Sequence, residues 1–153
     1  MSEKNPIRLF VVHTFADHPD YLRVFEYLES SPNFFYVNCS APQSVPASGG
    51  KEALKEELRK QIKNAEVVIV PAGIYIDNYD WATYQMDAAQ AINLPLVVIE
   101  PFGGIAKLPE ELANRAGEIV GWNERNIIDA VRREARHEDT ARWEVIEFEM
   151  PSD

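Results

Sequence analysis

Three short segments of this chain are apolar at nearly every position: IRLFVVHTF (7–15), EVVIVPAG (66–73) and LPLVVIEP (94–101). A strand with one wet face alternates apolar and polar residues. A continuous run of this length fits a strand covered on both faces, as in a parallel sheet. The segments between them carry helical spacing. In DHPDYLRVFEYLES (17–30), Tyr21, Val24, Phe25 and Leu28 share one face, and Asp17 or Asp20 can cap the start. KEALKEELRKQIKNA (51–65) aligns Leu54, Leu58 and Ile62. FFYVN (34–38) reads as a second strand and GEIVGW (117–122) as a weak fifth. IYIDNYD (74–80) reads as a loop, WATYQMDAAQAIN (81–93) as a helix, and FGGIAKLPEELANRA (102–116) as a loop and short helix. NERNIIDAVRREARHE (123–138) is a last helix, and RWEVIEFEM (142–150) an extra edge strand.

Strands alternating with helices predict an α/β fold of the flavodoxin-like kind, three layers around a mostly parallel five-stranded sheet. A chain of 153 residues fits one domain. Such folds bind ligands at the carboxyl ends of their strands. The loops there, HTFAD, NCSAPQ, PAGIYIDNYDW and EPFGG, hold the unusual polar and aromatic residues.

The net charge of −10 is spread along the chain, which argues against a nucleic-acid or anionic-membrane partner. It leaves room for an anionic small molecule in a local pocket. Cys39 is the only cysteine, so neither an internal disulfide nor a cysteine-rich zinc site is expected. No apolar run reaches membrane-span length and the first residues show no signal-peptide core, so a cytoplasmic protein is expected.

Motif by motif, the signals are modest. The Gly pairs 49–50 and 103–104 read as turn glycines, for no G-x-G-x-x-G or Walker A pattern occurs. His13, His18 and His137 match no zinc spacing, and no metal is expected. His13 closes a strand at the ligand edge and divides evenly between pocket wall and core. His137 is expected at the surface. A receiver domain needs an acidic pair after the first strand and an Asp ending the third. This chain has neither. Trp81, at a helix opening, fits core packing or stacking on a ring. Gln85 lies one turn later on the same face, and glutamines are most often exposed.

The ordered series from Trp81-x-x-x-Gln85 through Leu94-Pro95, Pro101-Phe102-Gly103, Ala116–Trp122 and Ile128–Arg132 resembles the TIR-like domains typified by ThsB of the bacterial Thoeris anti-phage system. The front half, LFVVHTFAD to YVNCSAP, is similar to that family's first strand, helix and N-x-S-x-P turn. The resemblance covers residues 7–133 as a core, within a single domain of 1–153 with a C-terminal extension over 134–153.

The resemblance implies NAD+ as a substrate rather than a cofactor. Its nicotinamide–ribose bond is cleaved and the ADP-ribose rejoined into a cyclic or conjugated messenger that activates a separate effector protein. A phage-derived trigger and self-association through the loop 39–50 belong to the same picture. Cleavage of this kind develops positive charge on the ribose, which a nearby carboxylate stabilises. By family position His13, Thr14, Phe15 and Asp17 line the rim, with Asn38 and Ser40 beside them and Tyr75, Asp80 and Trp81 opposite.

The family's catalytic Glu falls at Gln85. An amide keeps the shape but loses the charge, at a cost of roughly 10²–10³ in rate. Three readings of Gln85 stand: an engineered Glu→Gln replacement, which is favoured; a naturally inactive nucleotide-binding relative; and substitution by Asp87, which points to another helix face. Two rival functions remain, a non-catalytic nucleotide sensor or adaptor and a nucleoside deoxyribosyltransferase-like enzyme.

Overall fold

The computed structural model describes residues 3–104 and 106–137. Five strands lie within them: β1 (Ile7–Val11), β2 (Tyr36–Asn38), β3 (Val67–Pro71), β4 (Leu96–Ile99) and β5 (Glu118–Val120). They form one sheet in the order β2-β1-β3-β4-β5, and every neighbouring pair is parallel. Six helices connect or follow them: α1 (Pro19–Glu29), α2 (Gly50–Ile62), α3 (Ala72–Asp77), α4 (Tyr79–Ala91), α5 (Glu110–Arg115) and α6 (Glu124–Arg136). This is the flavodoxin-like arrangement that the apolar runs predict.

Those runs are apolar throughout because alternate residues serve two cores. Ile7, Leu9 and Val11, with Val67, Ile69, Val97 and Ile99, pack against Val24 and Leu28 of α1 and Ile127, Ile128 and Val131 of α6. Phe10, Val68, Val70, Leu96 and Val98 face Leu58 and Ile62 of α2, Ala82 and Met86 of α4 and Leu112 of α5. Side chains of a strand alternate in direction, so each run feeds both faces. Neither α1 nor α4 begins as the sequence predicts. His18, not Asp17 or Asp20, caps α1: its Nδ1 accepts the Asp20 N–H at 3.0 Å, and Pro19 fills the first turn. α4 opens at Tyr79, two residues early.

Two further expectations are corrected. β1 ends at Val11, since the chain turns at His13 to enter the site loop. Ala72–Asp77 is a helix, where a strand end and a loop are predicted. AGIYID has poor helix propensity, with one Gly and two Ile. Burial of Ile74 and Tyr75 in the α2–α4 core overrides it. Asn78 joins α3 to α4: its N–H donates to Ile74 O and its carbonyl accepts from the Ala82 N–H, both at 2.9 Å. The Gly pairs do make turns, with positive φ at Gly49, Gly50, Gly103 and Gly104. α6 runs into the proposed extension at residue 134, and His137 ends it exposed, in the left-handed region. The predicted edge strand 142–150 lies outside the described residues. Among those described, no helix is long and apolar enough to cross a membrane.

Candidate functional site

Connections from β1 and β3 leave the sheet in opposite directions, since β2 lies outside β1 and β4 outside β3. Ligands of such sheets bind at this switch point. Beside it, on the β1–β2 side, the loops after those two strands and the start of α1 enclose a cavity of about 290 Å³. Phe15, Asp17, His18, Tyr21, Asn38 and Ser40 line it, along with Pro42 and Gln43, and no Lys or Arg does. Asn38 accepts the Ser40 N–H at 2.9 Å through Oδ1, which also takes the Ser40 hydroxyl proton. Asn38 Nδ2 donates to the Tyr21 hydroxyl at 3.2 Å, and that hydroxyl lies 2.8 Å from Ser40 Oγ. Neutral hydroxyl and amide groups therefore converge on one wall. Phe15 holds a left-handed backbone, φ 66°, a conformation that a bulky residue adopts only under constraint. Its N–H donates to His13 Nδ1 at 3.1 Å, and its ring meets His13 and Trp81 edge-on.

Beneath Phe15 lies a buried polar network. Gln85, on α4, is fully buried. Its Oε1 accepts the His13 N–H at 3.0 Å, and its Nε2 donates to His13 O at 2.6 Å and to Trp81 O at 2.9 Å. Gln61, on α2, repeats the device: Oε1 accepts the Ala41 N–H at 2.9 Å and Nε2 donates to Ala41 O at 3.2 Å. Gln61 Nε2 also donates to Glu57 at 2.9 Å. His13 joins the two, for its Nε2–H donates to Gln61 Oε1 at 2.9 Å. With Nδ1 accepting from Phe15, the imidazole is the neutral Nε2–H tautomer. Burial lowers its pKa, which the Gln61 bond and the Glu57 charge only partly oppose.

The site residues predicted from sequence separate into groups. Phe15, Asp17, Asn38 and Ser40 meet at the cavity, with Thr14 half-buried in the same loop. His13 is 1% exposed and lies under the rim. Trp81 is half-buried against Phe15, with the Lys51 ammonium 5.9 Å from its ring. Asp80 is exposed and lines no part of the cavity. Tyr75 is buried, donates to Glu111 Oε1 at 2.7 Å beside Tyr79, and does not line the cavity either. Burial, and then the Glu111 carboxylate, push its pKa up.

Two participants escape sequence reasoning. Tyr21 has core spacing, yet its hydroxyl reaches the cavity. Gln61 follows Leu54 and Leu58 at helical spacing, and a polar residue in that apolar stripe is the signal that could have found it. Among the described residues, no group of three His, Cys, Asp or Glu could hold a metal ion.

Over residues 10–103 the sequence matches the family described as Thoeris protein ThsB, TIR-like domain. That span reaches from β1 through the turn after β4, so it contains every residue of the cavity and the network beneath it. Comparison with curated proteins finds no match.

Proposed function

Because the chain belongs to the Thoeris ThsB TIR-like domain family, we propose that the cavity at the carboxyl ends of β1 and β2 takes the ribose end of NAD+ and that the protein breaks the nicotinamide–ribose bond only weakly. The Tyr21–Asn38–Ser40 cluster carries this reading. It gathers three hydroxyl-recognising groups beside an aromatic ring, Phe15, that offers a stacking edge. A cavity of about 290 Å³ is near the small end of ligand pockets, so it suits a nucleoside portion with the phosphates outside.

Slow chemistry follows from position 85. An oxocarbenium-like ribose needs a carboxylate aimed at it. Gln85 has none, and its amide is occupied by main-chain groups. In the full reading, a phage-derived trigger and self-association through the loop 39–50 raise the activity, and the ADP-ribose product signals to a separate effector.

A second reading, a nucleotide sensor or adaptor without catalysis, is favoured by the same burial of Gln85. Calorimetric titration with NAD+ and ADP-ribose, beside mass-spectrometric detection of nicotinamide with and without phage lysate, separates them. Binding with slow nicotinamide release that the lysate accelerates supports the enzyme. Binding without release supports the sensor. Folded protein that binds neither ligand sinks both.

A further inference from the structure

The two buried amides are used alike. Each pairs both its ends with the N–H and C=O of a single residue, as a neighbouring strand would: Gln85 with His13, and Gln61 with Ala41. His13 and Ala41 lie in the two loops that wall the cavity, which contribute Phe15 and Asp17 on one side and Ser40 and Pro42 on the other. The His13 imidazole ties one amide to the other system through Gln61. We propose that Gln85 and Gln61 are positioning residues, a double amide clamp that sets both cavity walls from α4 and α2, and that residue 85 acts through the His13 main chain rather than on a bound ligand. Only the identity of what fills the cavity rests on the function proposed above.

The partners of residue 85 in this chain suit an amide. Two of its three partners, His13 O and Trp81 O, are acceptors. A carboxylate would face both with no proton to give, and buried acceptors opposed in this way are costly. A glutamate here therefore disrupts the clamp instead of restoring a catalytic group, and only its protonated form regains a donor. The titratable groups near this network are the His13 imidazole, the Tyr21 hydroxyl, whose ring packs on His13, and Glu57 of α2.

Gln85→Glu, Gln85→Met and Gln61→Met test the clamp, by thermal melting between pH 5 and pH 8 and by amide hydrogen exchange. The Met variants keep His13, Tyr21 and Glu57, so their pH profiles subtract those titrations. An unpartnered buried carboxyl has a folded-state pKa above its unfolded value of about 4.3. Its stability is therefore fully present below that value and lost as pH rises through the folded one.

The clamp predicts that Gln85→Glu melts well below the parent at pH 8 and recovers toward it at pH 5. Gln85→Met should keep a constant offset. In Gln85→Met the amides of His13 and Phe15, and in Gln61→Met the amide of Ala41, should exchange about tenfold faster, with β3 and β4 unchanged. If Gln85→Glu is unfolded at every pH, exchange in the Met variants decides. Unaltered exchange at His13 and Phe15 in Gln85→Met, or at Ala41 in Gln61→Met, overturns the proposal. So does a Gln85→Glu protein as stable as the parent at pH 8 that releases nicotinamide faster. NAD+ titration of the same proteins keeps the two ideas apart: a parent that binds no NAD+ counts against the proposed function, while exchange still decides the clamp.

Discussion

The two ends of the sheet solve the burial of polar groups in opposite ways. At the carboxyl end the network beneath the cavity is built on neutral groups, two amides and an uncharged imidazole, satisfied by one another, by main chain and by Glu57 at its margin; buried Asp20, paired with Arg23, is the charged exception. At the amino end the half-buried groups are charged. Glu66 accepts from Arg136 at 2.7 and 2.6 Å and from the Arg8 N–H at 2.9 Å. Arg136 also donates to Pro6 O at 2.9 Å, and Arg133 to Glu118 at 2.7 Å. The larger cavity, about 560 Å³, lies at this charged end, lined by residues such as Glu66, Asn93, Glu134 and His137. The amino end fastens α6 across the sheet edge, whereas the carboxyl end holds loops at a set distance. A neutral clamp does so with amides and an imidazole beneath the cavity.

The sharpest way to break this contrast is at its neutral pole. His13→Leu removes the acceptor for the Phe15 N–H and a donor to Gln61, and should cost roughly 2–3 kcal/mol in urea unfolding at pH 8. Because burial depresses the His13 pKa, its contribution is fully present above the unfolded value of 6.5. It is lost as pH falls from there through the folded pKa. The gap between parent and variant should therefore narrow at pH 5.5. A gap that widens on acidification would mean that His13 is charged in the fold.

At the charged pole, Glu66→Gln should cost about 1–2 kcal/mol at pH 7, the loss of a charge-assisted pair that is mostly shielded from water. The hydrogen bond from Arg136 comes first among the causes that hold Glu66 below the usual carboxylate range. The stability it brings is present above the unfolded value of about 4.3 and disappears as pH falls through the folded one. Urea midpoints at pH 7 and pH 3 should converge for the two proteins. Equal stability at pH 7 would remove the ion pair from the account.

How much of this was legible follows the range of the forces. The strands and their two-faced burial were readable because Val67–Pro71 and Leu96–Ile99 are apolar throughout, a local signal. The family series was readable for the same reason. α3 was not, because the burial of Ile74 and Tyr75 that makes it a helix comes from distant elements. Phe15, Asp17, Asn38 and Ser40 were placed by family position, and they meet at the cavity. The clamp itself was not legible: the Gln85 contacts span 72 residues and those of Gln61 to His13 span 48. Nothing local distinguishes a glutamine facing water from one pairing with a strand end.

The smallest effect tests whether charge at the amino end is everywhere stabilising. Glu134 points toward Glu118 and the same cavity, and its pKa is raised, by burial first and then by its interaction with Glu118. Its stability is greatest below the unfolded value of about 4.3 and is lost as pH rises through the folded one, so at neutral pH the ionised side chain is a cost. Glu134→Gln removes that charge and can donate to Glu118, which also accepts from Arg133. Discounted for solvent screening, the gain at pH 7 is a few tenths of a kcal/mol, and it vanishes at pH 4. NAD+ affinity should stay within about twofold, since the change is confined to the opposite sheet edge. Destabilisation at pH 7 would show Glu134 to be a partner in the ion-pair set rather than its excess charge. The amino end would then be as fully satisfied as the clamp opposite, and the two ends would differ only in charge.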